Sequence, residues 1–185
     1  AKAILMVENF AHTLQQVLPA VPTKKVILTA LGDMLGFPKS LIVNYVVRKV
    51  KKMVPAFELP GAVKFNDALA QGRGKTFKPA QVGPDDIAVL QYTGGTTGVS
   101  KGAVLLHRNL VANILQAEAW YQPALKKIPP GEQIMTVCAL PLYHIFGFNT
   151  NMMLGMHMGG CNLLIANPRD IPAMMKALSQ QRFHS

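Results

Sequence analysis

A polyphosphate presents many acceptor oxygens and several negative charges. A chain that grips one needs closely spaced N–H donors, hydroxyls and a cation. The run Gln91-Tyr92-Thr93-Gly94-Gly95-Thr96-Thr97-Gly98-Val99-Ser100-Lys101-Gly102 supplies all three. Gly94, Gly95, Gly98 and Gly102 let the backbone approach closely and reach positive φ, so that successive N–H groups form an anion nest. Thr93, Thr96, Thr97 and Ser100 add hydroxyls, and Lys101 adds the charge. The string is not a Walker A loop, which reads Gly-x-x-x-x-Gly-Lys-Ser/Thr; here Lys101 follows Ser100 and precedes Gly102, with no hydroxyl after it to hold magnesium. That difference weighs against a kinase. A merely flexible Gly/Thr turn is the bland alternative, and the interleaving of glycine, hydroxyl and lysine behind an apolar strand weighs against it.

The other groups capable of chemistry are sparser. Pro141-Leu142-Tyr143-His144 follows an apolar run; a lone loop histidine is more often structural than functional, and His12, His107 and His157 read as structural. The two cysteines, Cys138 and Cys161, make no disulfide framework and no zinc spacing, so no metal ligand set is expected and a reducing cytoplasm is the default. The Met-rich run Asn151–Gly159 reads as core packing, although thioethers also suit an alkyl chain. A formal net charge of +10 suits anionic partners such as nucleotide, nucleic acid, acidic lipid or CoA, or simply a basic surface. Aromatics are few and do not interleave with the basic residues, which weighs against nucleic-acid binding.

These groups need a scaffold. Half of the 185 residues are apolar, which favours a folded chain, and no apolar stretch reaches the ~18 residues of a membrane span. Ala3–Val7 and Lys25–Thr29 read as buried strands around a helix from Asn9, its cap, to about Leu18, with Leu14, Val17 and Leu18 on one face. This is the βαβ pattern of an α/β domain with a parallel-rich sheet and flanking helices. Ser40 caps a helix expected to run to about Val54. Its apolar face is Ile42, Val43, Val46, Val47, Val50, Met53 and Val54; Arg48, Lys49, Lys51 and Lys52 stand opposite. That pattern fits contact with an anionic membrane surface, or a helix that packs its valines inward. Lys64–Gln71 is a weaker helix, and Gly72–Pro84 a linker. Ile87–Gln91 and Ala103–Leu106 are strands flanking the glycine-rich loop, which should project outward. His107–Tyr121 is helical with Leu110, Ile114 and Leu115 inward, Pro123–Gly131 a basic loop, Gln133–Ala139 and Cys161–Ile165 strands, Phe146–Met158 a buried helix and Asp170–Gln180 a final helix.

Tyr92–Gly102 resembles the signature of the adenylate-forming superfamily, which includes acyl-CoA synthetases, peptide-synthetase adenylation domains and luciferases. The usual pattern is aromatic-Thr-Ser-Gly-Thr-Thr-Gly-x-Pro-Lys-Gly. This chain departs from it at Gly94, for Ser, and at Ser100, for Pro. His107-Arg108-Asn109-Leu110 resembles the opening of the next helix, where Leu106 replaces a frequent hydroxyl residue, so the cap must come from elsewhere. Pro141-Leu142-Tyr143-His144-Ile145-Phe146-Gly147 resembles the next core motif, and Asn167-Pro168-Arg169-Asp170 a string of the bacterial long-chain acyl-CoA synthetases.

The resemblance implies an enzyme that uses ATP, with Mg2+, to convert a long-chain fatty acid to acyl-AMP and then to a CoA thioester. Another acyl- or aryl-CoA ligase or adenylation domain is the alternative, and a non-catalytic basic membrane- or nucleic-acid-binding module a further one. It implies that Thr93, Gly95, Thr96, Thr97 and Lys101 grip the outer phosphates, with Tyr92, Val99, Ser100 and Gly102 completing the nucleotide loop and Gly94 and Gly98 shaping the turn. Tyr143 and His144 then border the acyl carboxylate, and His144 and Lys101 are the catalytic candidates. It also implies that residues 1–185 are an internal fragment of one AMP-binding domain, with 32–84 an amphipathic helix and linker insertion. The family's later Gly-Tyr-Gly-x-Thr-Glu-like segment, Gly-Asp pair and C-terminal lysine have no counterpart here. The expected location is cytoplasmic, with peripheral contact at the inner face of the membrane.

Overall fold

The computed structural model describes residues 2–93 and 100–184. The chain divides into two units, Ala1–Pro79 and Ala80–Ser185.

In the first unit, β1 (Ala3–Val7), β2 (Lys25–Thr29) and β3 (Val63–Lys64) form a parallel sheet in the order β1-β2-β3. Ala3 pairs with Lys25, and Ile27 with Val63. Helix α1 (Ala11–Val17) crosses from β1 to β2 and buries Ala11 and Leu14; Val17, expected on the same face, is exposed. Asn9 does not cap this helix. It lies in a preceding 3-10 turn, and its amide donates instead to the Met53 carbonyl at 3.0 Å. His12 Nδ1 donates to the Ala56 carbonyl, and Gln15 Oε1 accepts from the Glu58 N–H. The 53–58 segment is thereby strapped to α1, and tertiary demand outranks the local cap. The segment 32–84, expected as an amphipathic helix and linker, also supplies β3 and α3 (Phe65–Arg73).

Helix α2 (Lys39–Tyr45) continues as a π turn, Val46–Val50, and stops short of Val54. Lys52 takes a left-handed conformation (φ 49°), and the Met53 N–H closes onto the Val47 carbonyl at 3.0 Å, a helix-ending pattern that terminates the spiral. Its root is fixed by Asp33, which accepts from Thr29 Oγ1, the Ala30 N–H and the Asn44 amide, while Asn44 Oδ1 accepts from the Gly32 N–H at 2.7 Å. A Cβ on Gly32 would stand 2.6 Å from Asn44 Oδ1, so only glycine fits there. The seven-residue apolar face is split. Val47 is buried and Val43, Val46 and Val54 are half-buried, whereas Ile42, Val50 and Met53 are exposed. Arg48, expected among the free cations, forms a bidentate pair with the buried Glu8 carboxylate at 2.7 and 2.9 Å.

The second unit begins with the antiparallel hairpin β4 (Ile87–Thr93) and β5 (Lys101–Leu106), which leads into α4 (His107–Leu125). The cap missing at Leu106 is replaced by Asn109, whose Oδ1 accepts the Leu106 N–H at 2.9 Å. Leu110 and Ile114 are buried; Leu115 is exposed. The helix runs through Pro123, placed in a loop on sequence grounds. Proline here forfeits one backbone hydrogen bond, that of its missing N–H, and the helix closes beyond it through the Lys126 N–H onto the Gln122 carbonyl. The parallel pair β6 (Met135–Cys138) and β7 (Cys161–Leu164) is bridged by a π-helical stretch, Gly147–Met153, and by α5 (Leu154–His157). Asp170 Oδ1 accepts the Ala173 N–H to start α6 (Ile171–Ser179), with Pro172 in its first turn.

Glu8 holds the Arg48 guanidinium protonated more firmly than usual, chiefly through their hydrogen bonds. Since folding raises the affinity for that proton, the contribution is complete at neutral pH and is lost only in strong alkali. Arg48→Met leaves a carboxylate buried without its partner. Half of the Arg48 side chain is exposed, so the expected cost is about 2 kcal/mol, below that of a fully buried pair, and the melting temperature should fall by roughly 5 °C. Adding Glu8→Leu to the variant should recover most of this; no recovery in the thermal melt would contradict the account.

Candidate functional site

The glycine-rich string is rooted on the β4–β5 hairpin. Leu90 pairs with Val104, Gln91 with Ala103, Tyr92 with Gly102 and Thr93 with Lys101. Tyr92, Thr93, Lys101 and Gly102 therefore lie in strands rather than in the loop itself. Thr93 Oγ1 donates across the pair to the Lys101 carbonyl at 3.3 Å. The Tyr92 ring covers Gly102 so closely that a Cβ there would meet it at 3.3 Å. Thr93, Ser100 and Lys101 are exposed. Gly94, Gly95, Thr96, Thr97, Gly98 and Val99 lie outside the described residues.

The hairpin also holds the second motif. Gln91 Nε2 donates to the Tyr143 carbonyl and to the Tyr92 carbonyl, both at 3.3 Å, so the end of β4 stands beside the turn Pro141–His144. That turn hangs from the carboxyl end of β6, where ligands gather in open parallel sheets. It closes through the His144 N–H onto the Pro141 carbonyl at 2.9 Å. The Tyr143 side chain is 83% exposed. His144 precedes the helix and caps it: its Nδ1 accepts the Phe146 N–H at 3.2 Å, and its carbonyl accepts the Phe148 N–H at 2.9 Å. With Nδ1 accepting, the neutral imidazole carries its proton on Nε2, which is left as an outward donor.

Two features were not anticipated from the sequence. Gly147 packs against the turn, and a Cβ there would stand 2.8 Å from the Pro141 carbonyl oxygen. A glycine inside an apolar helical run was the available signal. The π-helical stretch also turns Asn149 and Asn151 inward. Asn149 donates to Asn113 Oδ1, and Asn151 exchanges hydrogen bonds with Asn162, which accepts from Thr136 Oγ1 at 2.7 Å. Next to this network lies a cavity of about 460 Å³ whose apolar wall includes Tyr121, Leu125, Ile134, Val137, Phe146 and Leu154. Its volume lies in the range of small-molecule pockets. Phe146 and Thr150 also face a second cavity of about 360 Å³, with Asn109, Asn113 and Asn149. Among the described residues, no group of three His, Cys, Asp or Glu side chains could hold a metal ion.

The hairpin and the histidine-bearing turn at the end of a parallel strand belong to an α/β fold with parallel sheets and flanking helices. The family model described as AMP-binding enzyme matches residues 1–185, and the chain belongs to that family. It is 48% identical over 183 residues to a long-chain-fatty-acid–CoA ligase of Escherichia coli O6:H1, covering 99% of this chain and 32% of the relative. It is 49% identical over 183 residues to the ligase of the same name from Yersinia pestis, with the same coverage. The chain thus spans about a third of the length of these relatives. Among solved structures, an anthranilate CoA ligase bound to anthranoyl-AMP shares the fold, with a TM-score of 0.65 and 19% identity over 97% of this chain and 29% of that one.

Gly147→Ala forces a methyl group onto backbone atoms of the Pro141 turn. A cost of about 1–3 kcal/mol is expected, together with loss of activity from displacement of Tyr143 and His144. Gly72→Ala, in α3, is the control, because a Cβ there would meet nothing within 4 Å. Thermal melts in which the two substitutions cost the same would refute this reading of Gly147.

Proposed function

We propose that this chain is part of an AMP-forming ligase that activates a long-chain fatty acid and passes the acyl group to the thiol of CoA. The observation that carries the reading is the hydrogen bond from Gln91 to the Tyr143 carbonyl, which sets the root of the phosphate loop beside the turn bearing His144. Membership of the AMP-binding family and the names of relatives nearly half identical to this chain support it. In the first step a carboxylate oxygen bonds to the α-phosphorus of ATP, and the bond to pyrophosphate breaks. In the second the thiol sulfur bonds to the acyl carbon, AMP leaves, and the thiol proton goes to solvent.

Such chemistry asks the protein for positioning and charge stabilisation rather than covalent participation. Thr93, Ser100 and Lys101 with Gly94–Val99 and Gly102 hold the outer phosphates, Lys101 offsetting their charge. Magnesium, expected with ATP in this family, supplies further counter-charge; no ligand set for it is assigned to this chain. His144 acts as a hydrogen-bond donor through Nε2, toward the acyl carboxylate and adenylate, because its other nitrogen is committed to the helix cap. Tyr143 borders the same space. The apolar cavity that includes Phe146 on its wall receives the alkyl chain. The names of relatives nearly half identical over 99% of this chain favour a fatty acid; an aromatic acid is the second reading, since 4-coumarate–CoA ligase 1 of Oryza sativa is 36% identical over 54% of this chain. Peripheral contact with an anionic membrane in the cytoplasm belongs to the same reading.

ATP–pyrophosphate exchange by the full-length protein should depend on palmitate, and Lys101→Ala should lower it by about 10²- to 10³-fold. Exchange that ignores palmitate but follows 4-coumarate would favour the second reading, and exchange unaffected by Lys101→Ala would remove the phosphate role. Ala124→Phe, at the rim of the cavity, should shift preference from palmitate toward shorter acids by roughly tenfold in kcat/KM; an unchanged chain-length profile would place the acyl chain elsewhere.

A further inference from the structure

Two motifs far apart in the chain meet through one side-chain nitrogen. Gln91 lies in β4, and its backbone pairs with Ala103 in the hairpin ladder. A glutamine amide nitrogen carries two N–H donors. That of Gln91 stands 3.3 Å from the Tyr92 carbonyl and 3.3 Å from the Tyr143 carbonyl. The first carbonyl belongs to the strand end from which the glycine-rich string departs. The second belongs to the turn that ends in His144. One amide therefore brackets two backbones, one from each motif.

The turn itself is closed by bonds of short sequence range. The Cys138 thiol donates to the Leu140 carbonyl at 3.3 Å. The His144 N–H donates to the Pro141 carbonyl and the Phe148 N–H to the His144 carbonyl, both at 2.9 Å. The Phe146 N–H donates to His144 Nδ1 at 3.2 Å. These bonds shape the turn and select the tautomer of the ring, but each joins residues between 138 and 148. None of them ties the turn to the hairpin. The Gln91 bond does so across 52 positions of sequence. Both N–H groups of Gln91 are engaged by carbonyls, which leaves it no donor for a phosphate or a carboxylate. It works through the groups it holds.

We infer that Gln91 is a positioning residue of the adenylation step. Its amide sets the Tyr143–His144 turn at the distance from the phosphate loop at which His144 Nε2 meets the acyl carboxylate. The inference rests on the ligase reading and adds a residue to it. Bonds of 3.3 Å are at the long end of the hydrogen-bond range, so little stability hangs on them, whereas catalysis responds to displacements of ~1 Å.

The test is palmitate-dependent ATP–pyrophosphate exchange by the full-length protein, with thermal melts alongside. Gln91→Met keeps the length of the side chain and removes both donors. It should lower kcat about tenfold and leave the melting temperature unchanged. The KM for ATP should move by less than about twofold, because the backbone ladder at the root of the loop is untouched. Gln91→Glu keeps the shape but turns an acceptor oxygen toward two carbonyls, and should lose at least as much activity. In a His144→Ala background Gln91→Met should cost less than about twofold further, as expected of a residue that acts through His144. Four results would each overturn the inference while the ligase reading stands: an unchanged kcat in Gln91→Met, a Gln91→Glu variant as active as the wild type, a loss that persists in full without His144, or a melting temperature lowered by several degrees. Absence of palmitate-dependent exchange in the wild type would overturn both.

Discussion

At the open end of the β4–β5 hairpin Thr93 pairs with Lys101, and everything the glycine-rich string does depends on that pairing. The ladder fixes where the string leaves and rejoins the sheet, and it sets Thr93 opposite Lys101, whose carbonyl accepts from the Thr93 hydroxyl. The Tyr92 ring lying over Gly102 stiffens the root. A loop that binds phosphates through backbone N–H groups has little conformational freedom to lose if its two ends are already set.

The second motif is brought to this root by contacts of a different kind. Gln91 reaches across to the Tyr143 carbonyl, and Gly147 allows the helix that follows to press against the Pro141 turn. His144 is used twice. One ring nitrogen satisfies an N–H at the start of the helix, and the other remains available. A capping histidine of this kind is held in one tautomer by the helix it caps, which makes it a donor and disqualifies it as a base in that state. Behind the turn, Asn149 pairs with Asn113 and Asn151 with Asn162 as the π-helical stretch carries the two asparagines inward; Asn149 Oδ1 is left buried without a partner, and an apolar cavity lies beside them.

The first unit shows how a single helix divides its duties. The valine face of α2 packs inward, Arg48 neutralises the buried Glu8, and Asp33 and Asn44 tie the helix root to the sheet. What remains on the outside is apolar and cationic. The sequence pattern of valines opposite lysines is the same for a helix that packs and for one that meets lipid. Only the burial of Val47 and the exposure of Leu41, Ile42 and Tyr45 separate the two faces.

Much of the fold was legible because its signals are local. β1 and β2 were delimited by apolar runs, α6 by Asp170 and Pro172, and the hairpin by apolar strands on either side of the glycines. Family membership was legible for the same reason: the order of hydroxyls, glycines and a lysine in Tyr92–Gly102 is a local signature. The tertiary structure decided what depends on partners distant in the chain. It took Asn9 from its helix and gave it to Met53, and supplied the cap at Leu106 from Asn109. It ended α2 early through Lys52, carried α4 past Pro123, and bound Arg48 to Glu8. Each of these is a choice between two local arrangements of one side chain or backbone segment. Such choices differ by only a kilocalorie or so locally, and the packing of the surrounding chain settles them.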